Sequence, residues 1–301
     1  LSYNTPAWDT QEVLDMVTWM RDFNKKETKK LQFTGFDMQE YYGSLKYVSD
    51  FAKNNNYNDL MLLVDSTSTI LNRLQKNLYN HKINLQFPLK ECDQILTYLM
   101  NLKNQTPGLD NRTELNWIIQ NANIIRQYSD YFSNGMKSST RDKYMAENVS
   151  WILDNNPGSK IILWAHNGHI WKQTGAMGGF LSNKYGDQYF AIGFLTNEGN
   201  YTAGIQNIIS TQNKLKKGEP GSFEYNFNKT RFSYFFFDLN KVDMNNPDSR
   251  WLNSKLNHRE IGAEATEDQF YPIILKEKFN AMIYINSTTP TKTFLTTKKK
   301  M

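Results

Sequence analysis

Apolar residues recur at helical spacing through most of the first half of the chain. Over residues 13–20 they repeat every three or four positions, and Asp9 or Thr10 can cap the segment, so a helix is predicted to begin near Asp9. Four further apolar stripes lie between residues 38 and 133, separated by an asparagine run, by Pro88 and by a Pro-Gly pair at 107–108. We therefore predict a helical block over 38–133 that is either a cap or an insertion.

The second half carries short runs that are apolar at nearly every position. Such runs lack the polar alternation of a half-exposed strand and predict buried strands. They lie at residues 160–165, 189–194, 201–205, 233–238 and 281–285, and an earlier run at 31–36 ends at Asp37. A helix is predicted over 139–154 and a mobile loop over 214–228. Strands that alternate with helices indicate an α/β body with a mainly parallel sheet.

The composition supports a folded protein and excludes several classes of partner. Of 301 residues, 39% are hydrophobic and 14% are aromatic, which is enough to build a core. The net charge of +5 is too small over this length to predict a nucleic-acid surface, and the lysines at 298–300 are predicted to form a solvated tail. No stretch approaches the roughly 20 apolar residues of a membrane helix, so we expect a soluble protein with no membrane partner.

Two of the four histidines share one turn. His166 and His169 directly follow the predicted strand at 160–165, in the run Trp-Ala-His-Asn-Gly-His. Ligands of parallel sheets bind beyond the C-terminal ends of the strands, and a histidine there can act as a general acid or base because its pKa lies near neutrality. The pair could also bind a metal, although a third ligand would be needed, or could be polar turn residues that cap a helix.

The helix predicted over 139–154 places two polar residues at the edge of its apolar face. Arg141 and Asn148 share a stripe with three core-type residues, and a polar group in that position must be paired. One interpretation is an arginine held by a structural carboxylate, such as the neighbouring Asp142. The other is a guanidinium aimed into a cleft, where it would stabilise an oxyanion or orient a carboxylate.

Asp37 and Gln39 follow the predicted strand at 31–36. Asp37 could orient a histidine or accept a substrate hydroxyl, but the N-cap of the next helix is the favoured interpretation. No Gly-x-Ser-x-Gly elbow supplies a serine nucleophile, and the glycines at 175–179 match no phosphate-binding motif. The single cysteine, Cys92, excludes an intrachain disulfide, and its apolar stripe predicts a buried, inert thiol.

Taken in order, these segments resemble the erythromycin esterase family. The matching motifs are Arg-Asp-Lys-Tyr-Met-Ala-Glu-Asn at 141–148, Lys-Ile-Ile-Leu-Trp-Ala-His-Asn-Gly-His at 160–169, Gly-Phe-Asp-Met-Gln at 35–39, Trp-Asp-Thr-Gln-Glu at 8–12 and Arg-Glu-Ile-Gly at 259–262. The resemblance spans most of the chain and is loosest in the helical block between residues 40 and 130.

The resemblance implies a three-layer α/β/α body formed by residues 1–37 and 138–301, with the large helical insertion at 38–133. The implied protein is a bacterial hydrolase that opens a carboxylic ester, best known as the macrolactone of 14-membered macrolide antibiotics, and so an antibiotic-resistance enzyme. A histidine-activated water would attack without a covalent serine intermediate, and no metal or other cofactor is expected. The implied catalytic residues are His166, His169 and Arg141, and the implied substrate-binding or orienting residues are Asp37, Gln39, Asp142, Asn148 and Asn167.

One departure from the family pattern concerns the group that activates the water. Family members carry a Gly-Glu-x-Thr-His-Gly motif upstream of the segment that matches residues 8–12, and its glutamate and histidine are usually assigned this role. Nothing in residues 1–301 replaces the motif, so we expect either a truncated sequence or a protein that lacks half its site. Arg141 or a protonated His166 or His169 would then stabilise the oxyanion.

Three alternatives stay open at this point. The chain could be an esterase of the same family with a different substrate, a metal hydrolase built on His-x-x-His, or a non-catalytic binding homologue. The expected partner is a small-molecule ester, the expected state is a monomer, and a cytoplasmic location is favoured by the resemblance to resistance esterases.

Overall fold

A computed structural model of the chain describes residues 8–77, 86–105, 109–205 and 208–294. Within them the chain forms two compact units, one made of residues 36–160 and the other of residues up to 35 together with those from 161 onward. The predicted basic tail at 298–300 and the Pro-Gly break at 107–108 lie outside the described residues.

The unit of residues 36–160 is helical. Its helices are α2 (Tyr42–Asn54), α3 (Asn58–Asn77), α4 (Leu89–Gln105), α5 (Leu109–Ser133) and α6 (Ser138–Asp154). Helix α2 contacts α3 and α5, and α4 contacts the same two helices, so four helices close around one core. The predicted stripes supply that core, which includes the fully buried Val48, Leu60, Leu99 and Ile125. The four predicted helical stripes and the helix predicted over 139–154 are confirmed.

The other unit is an α/β body. It begins with α1 (Gln11–Lys26), which Thr10 caps by accepting a hydrogen bond from the Val13 amide, as the sequence predicts. Its four-stranded sheet has the order β2-β1-β6-β3 and a second sheet pairs β4 with β5. The strands are β1 (Ile192–Ile205), β2 (Ile208–Leu215), β3 (Tyr234–Asp238), β4 (Lys255–Arg259), β5 (Phe270–Ile274) and β6 (Ala281–Thr288). The shorter helices are α7 (Asn167–Ile170), α8 (Met177–Tyr185), α9 (Phe223–Asn228) and α10 (Leu275–Lys278).

The main sheet is mixed. Strands β1 and β6 run parallel, whereas β2 pairs with β1 and β3 pairs with β6 in antiparallel fashion. One face of the sheet is buried beneath α9, whose Phe227 ring contacts the rings of Phe237 and Tyr284. The opposite face exposes Phe194 and Phe236, because neighbouring residues of a strand point to opposite sides. The predicted α/β class, with a helical insertion, is confirmed.

Two predicted strands do not form. The apolar runs at 31–36 and 160–165 join no sheet among the described residues, and Ile162 is 96% exposed. An apolar run favours extended, buried backbone, but a strand also needs a neighbour that completes its hydrogen bonds, and the local pattern does not specify one.

The predicted mobile loop at 214–228 is also wrong. Strand β2 continues to Leu215, and α9 starts after Ser222, whose hydroxyl accepts a hydrogen bond from the Tyr225 amide at 3.1 Å. The glycines and proline between these elements favour a loop, but the segment also contains a capped helix whose aromatic residues pack on the sheet.

None of the helices within the described ranges is both long enough and apolar enough to cross a bilayer.

Gly199 tests the register of the sheet, because it pairs with Thr288 of β6 on one side and Leu215 of β2 on the other. Its φ is +118°, and an added Cβ would lie 2.2 Å from the Thr288 carbonyl oxygen. We expect Gly199→Ala to lower the free energy of unfolding by at least about 2 kcal/mol, since strained backbone and a backbone clash combine. Urea unfolding measures the change.

Gly204 provides the matched control on the same strand. A Cβ there meets its nearest neighbour, the Ala263 carbonyl oxygen, at an ordinary 3.7 Å, and the residue lacks a positive φ. Gly204→Ala is therefore expected to change stability by less than about 0.5 kcal/mol. Equal effects of the two substitutions would contradict the assigned register.

Candidate active site

The turn that carries the predicted histidines is fixed to the edge of β1. Asn167 receives a hydrogen bond from the Phe194 amide at 3.0 Å and donates one to the Phe194 carbonyl at 2.8 Å, so its side chain pairs with β1 as a strand would. His166 is the N-cap of α7, and His169 lies within this single-turn helix, half-buried. The turn is therefore held by side-chain contacts to the sheet.

His166 is paired with a carboxylate that the sequence did not reveal. Its Nδ1 lies 2.9 Å from Oε1 of Glu260, and the two side chains are 40% and 17% exposed. The Gly168 amide lies 3.3 Å from the same Nδ1. We assign the Nδ1 proton to the shorter contact with Glu260.

A second histidine lies behind the first. His258, on β4, has Nε2 3.5 Å from Oε2 of Glu260 and Nδ1 3.5 Å from Oε1 of Glu224, which lies on α9. His258 and Glu224 are both fully buried. We call His166, Glu260, His258 and Glu224 the histidine–glutamate cluster.

Charge pairing within the cluster shifts three pKa values. Burial alone would raise the pKa of Glu260, but its contacts with His166 and His258 lower it to about 2. Burial alone would lower the pKa of His258, but Glu224 and Glu260 raise it to about 9. Burial lowers the pKa of His166, but the hydrogen bond and the charge of Glu260, together with a hydrogen bond to the Ile261 backbone, raise it overall. These shifts favour protonated His166 and His258 beside an ionised Glu260.

Arg259 fixes the end of β4 from which Glu260 projects. Its guanidinium donates hydrogen bonds to the carbonyls of Thr196, at 2.9 Å, and Asn197, at 3.0 Å, and also to Gln269 and the Lys216 carbonyl. Its backbone amide donates to Oε1 of Glu224 at 2.8 Å. These bonds tie β4 to β1 and thereby set the position of Glu260.

Arg141 lies in the helical unit and is held by Asp37. Its Nη2 is 2.7 Å from Oδ2 of Asp37, and its Nε is 3.2 Å from Oδ1. A two-atom pairing of this kind fixes the orientation of the guanidinium. The interpretation that a carboxylate holds Arg141 is confirmed, but the carboxylate is Asp37, whereas the sequence suggested Asp142. The favoured interpretation of Asp37 as an N-cap is wrong, because α2 begins only at Tyr42.

Asn148 holds the backbone next to Asp37. Its amide nitrogen donates to the Phe36 carbonyl at 2.9 Å and to Gln127, and its amide oxygen accepts from Gln120 at 2.8 Å and from Gln127. These bonds occupy the buried amide and hold the Phe36 backbone. Two further predicted residues differ in exposure: Asp142 is buried and accepts a hydrogen bond from Ser138, whereas Gln39 is exposed.

The structure therefore gathers the predicted residues into two local groups. His166, Asn167 and His169 lie in the α/β unit, and the predicted residues from 37 to 148 lie in the helical unit. Sequence reasoning missed Glu260, His258 and Glu224. The Arg-Glu-Ile-Gly run at 259–262 was the one available signal for Glu260.

Metal ligation is not favoured by the geometry of the described residues. Among them, no group of three or more histidine, cysteine, aspartate or glutamate side chains is arranged to hold a metal ion. The His-x-x-His spacing does not gain a third ligand there, and the carboxylate nearest to His166 is engaged through Nδ1.

Together, the mixed sheet and the carboxylate-bound histidine define an α/β protein equipped for acid–base chemistry. The chain belongs to the erythromycin esterase family, whose model, described as erythromycin esterase, matches residues 2–288.

Relatives within the family are distant. The chain is 26% identical over 234 residues to the erythromycin esterase type II of Escherichia coli, covering 67% of this chain and 56% of that protein. It is 21% identical over 322 residues to the putative hydrolase YbfO of Bacillus subtilis strain 168, covering 94% of this chain and 69% of the relative. The chain thus spans little more than half the length of the type II enzyme.

Solved structures share the fold. A crystal structure of a Bacillus cereus protein superposes with a TM-score of 0.77 at 24% identity, covering 97% of this chain and 75% of that one. A crystal structure of a succinoglycan biosynthesis protein gives a TM-score of 0.75 at 22% identity, covering 96% and 73% of the two chains.

Gly168 tests the contact between His166 and Glu260. A Cβ at Gly168 would lie 2.8 Å from Oε1 of Glu260, so Gly168→Ala must displace this carboxylate. We expect the variant to remain folded and the pKa of His166 to fall toward its ordinary value, because the stabilising anion moves away. An NMR titration of the His166 ring measures the shift.

Gly262→Ala is the matched control, since an added Cβ at Gly262 has no neighbour within 4 Å. This variant should leave the titration of His166 unchanged. A folded Gly168→Ala protein with an unaltered His166 titration would argue against Glu260 as the partner of His166.

Proposed function

We propose that this chain provides the catalytic histidine turn of a carboxylic ester hydrolase. The observation that carries the proposal is a partly exposed imidazole, His166, whose Nδ1 is bound by the largely buried carboxylate of Glu260. Membership of the erythromycin esterase family supports the reaction class.

In the proposed reaction, water adds to the ester carbonyl and the bond from the carbonyl carbon to the alcohol oxygen then breaks. The products are a carboxylic acid and an alcohol, so a cyclic ester opens to one hydroxy acid that has gained one water. Negative charge develops on the carbonyl oxygen when water attacks. The protonated His166, stabilised by Glu260, donates a hydrogen bond from Nε2 to that oxygen.

The proposed substrate is the macrolactone of a macrolide antibiotic, which would make the protein a resistance enzyme. The names of the type I and type II erythromycin esterases of Escherichia coli support this choice, at 21% and 26% identity. The alternative is a different ester, and it is favoured by the similarity to the succinoglycan biosynthesis protein and to a hydrolase of unspecified substrate. We further propose a monomeric, cytoplasmic protein that needs no metal.

His169 and Arg141 are the other proposed catalytic groups. His169 shares the single-turn helix with Asn167, whose bonds to β1 fix that turn. Arg141 is held in one orientation by Asp37, and an oriented guanidinium is suited to stabilise an oxyanion.

His166→Ala tests the proposal directly. We expect kcat to fall roughly a hundredfold with the fold intact, because one oxyanion donor is worth a few kcal/mol in the transition state. In the parent protein, kcat/KM should decline as the pH rises through the pKa of His166, which lies above its ordinary value of 6.5, since the protonated ring is the active form. Steady-state kinetics with an erythromycin-type lactone measures both effects.

Asn183→Ala, at an exposed position on α8, is the control and should retain full activity. Mass spectrometry of the product distinguishes lactone opening, which adds one water, from binding without turnover. Full turnover by His166→Ala would remove this residue from the mechanism, and activity lost on dialysis against a chelator would favour a metal hydrolase.

Arg141→Lys tests the role of the second group. Lysine retains the positive charge but cannot make the two-atom contact to Asp37, so a role in orientation predicts a kcat about tenfold or more below the parent value. Lys143→Arg, two residues along the same helix and exposed, is the control. An unchanged kcat in the folded Arg141→Lys protein would show that an oriented guanidinium is not required.

A further inference from the structure

Glu260 faces two imidazoles at once. Its Oε1 lies 2.9 Å from Nδ1 of His166, and its Oε2 lies 3.5 Å from Nε2 of His258. Each oxygen therefore meets a different ring, and the charge state of one histidine changes the field that the carboxylate exerts on the other.

The surroundings of His258 favour a cation. The ring is fully buried, and Phe279 packs near it with ring centroids 6.1 Å apart. A carboxylate faces each ring nitrogen, Glu224 at Nδ1 and Glu260 at Nε2. Two buried carboxylates on either side of a neutral ring would be poorly compensated, whereas an imidazolium pairs with both.

Other polar groups near the cluster do not replace this cation. The guanidinium of Arg259 is directed to backbone carbonyls and to Gln269, although its backbone amide reaches Glu224. The amide nitrogen of Asn167 donates one of its two protons to the Phe194 carbonyl at 2.8 Å and lies 3.4 Å from Nε2 of His258, where its second proton meets an acceptor only if that ring nitrogen is unprotonated. In the described structure, Oε2 of Glu260, Oε2 of Glu224 and Nδ1 of His258 make no hydrogen bond, so His258 and the two carboxylates interact as ion pairs at 3.5 Å.

We propose that His258, held by Glu224, is a buried positioning cation whose positive charge partly offsets the negative charge of Glu260. It thereby weakens the attraction of Glu260 for the proton on His166. This inference rests on the function proposed for His166 and adds two residues that act through Glu260 without touching the substrate.

The charge balance of the cluster explains why such a cation is useful. With both carboxylates ionised and both imidazoles protonated, two negative and two positive charges balance, so the cluster is neutral in its proposed active form. Without the charge on His258, Glu260 would act on His166 alone, and His166 would hold its proton more firmly. His258 therefore tunes the acid strength of the ring that faces the substrate.

His258→Gln tests this inference, because glutamine keeps a polar side chain and removes the charge. We expect the pKa of His166 to rise by about one pH unit, as nearby like charges in a protein interior interact on this scale. Two-bond proton–nitrogen NMR spectra of the full chain report this value, and the four histidines keep the spectra simple. Glu260→Gln is the opposing control, and it should lower the pKa of His166 because the anion itself is removed.

A His258→Gln protein that is folded and shows an unchanged or lower pKa for His166 would overturn the inference. A packing role alone predicts that unchanged result, since glutamine fills much of the same space. A rise in the pKa of His166 supports the assignment.

Two measurements keep the inference testable if His258→Gln does not fold. In the parent protein at pH 7.5, both ring nitrogens of His258 should be protonated, because its pKa lies at about 9. A neutral ring that accepts a hydrogen bond from Asn167 would overturn the inference. In Glu224→Gln, His258 should lose its proton at a lower pH than in the parent, and an unshifted titration would contradict the role of Glu224.

The same variants separate this inference from the proposed function. NMR reports the pKa of His166 whether or not the protein hydrolyses esters. If His258→Gln raises that pKa but does not change the pH at which kcat/KM declines, the positioning role stands and the catalytic role of His166 fails. If both move together to higher pH, both hold.

Discussion

The candidate site depends on one carboxylate, Glu260, that is largely removed from water and must be balanced by nearby positive charge. Its position follows from the end of β4, which Arg259 ties to β1 through the carbonyls of Thr196 and Asn197. The pairing of the main sheet therefore determines where the anion lies. The anion in turn orients His166, and the chemistry proposed for that ring follows from the orientation.

Local periodicity was sufficient to predict the helices, because each carries its apolar stripe within one continuous segment. The helix capped by Thr10 and the four helices around Val48 and Leu99 follow from apolar residues at helical spacing. It failed where a distant partner decides the outcome. The run at 160–165 has strand composition but joins no sheet in the described structure, and the short helix after Ser222 is stable because its aromatic residues pack on β3 and β6.

The site was accessible to sequence reasoning only in part, for the same reason. His166 and His169 are recognisable because they share a turn after an apolar run. Glu260 reaches His166 from the end of β4, and Glu224 on α9 reaches His258 behind it. No spacing rule links residues so far apart in the chain. Arg141 illustrates the intermediate case, since its position on an apolar face required a carboxylate, but only the fold identifies that carboxylate as Asp37.

The contacts of Asn167 and Arg259 also have a consequence for association between molecules. Over its first half, β1 pairs with β6 on one side only. On the other side, the Asn167 side chain bonds to the Phe194 amide and carbonyl, and the Arg259 side chain bonds to the Thr196 carbonyl. An open edge with free amides and carbonyls is a template for intermolecular strand addition and aggregation. Here the residues that hold the candidate site also block that edge, so a mutation that loosens the site would expose an aggregation-prone strand as well.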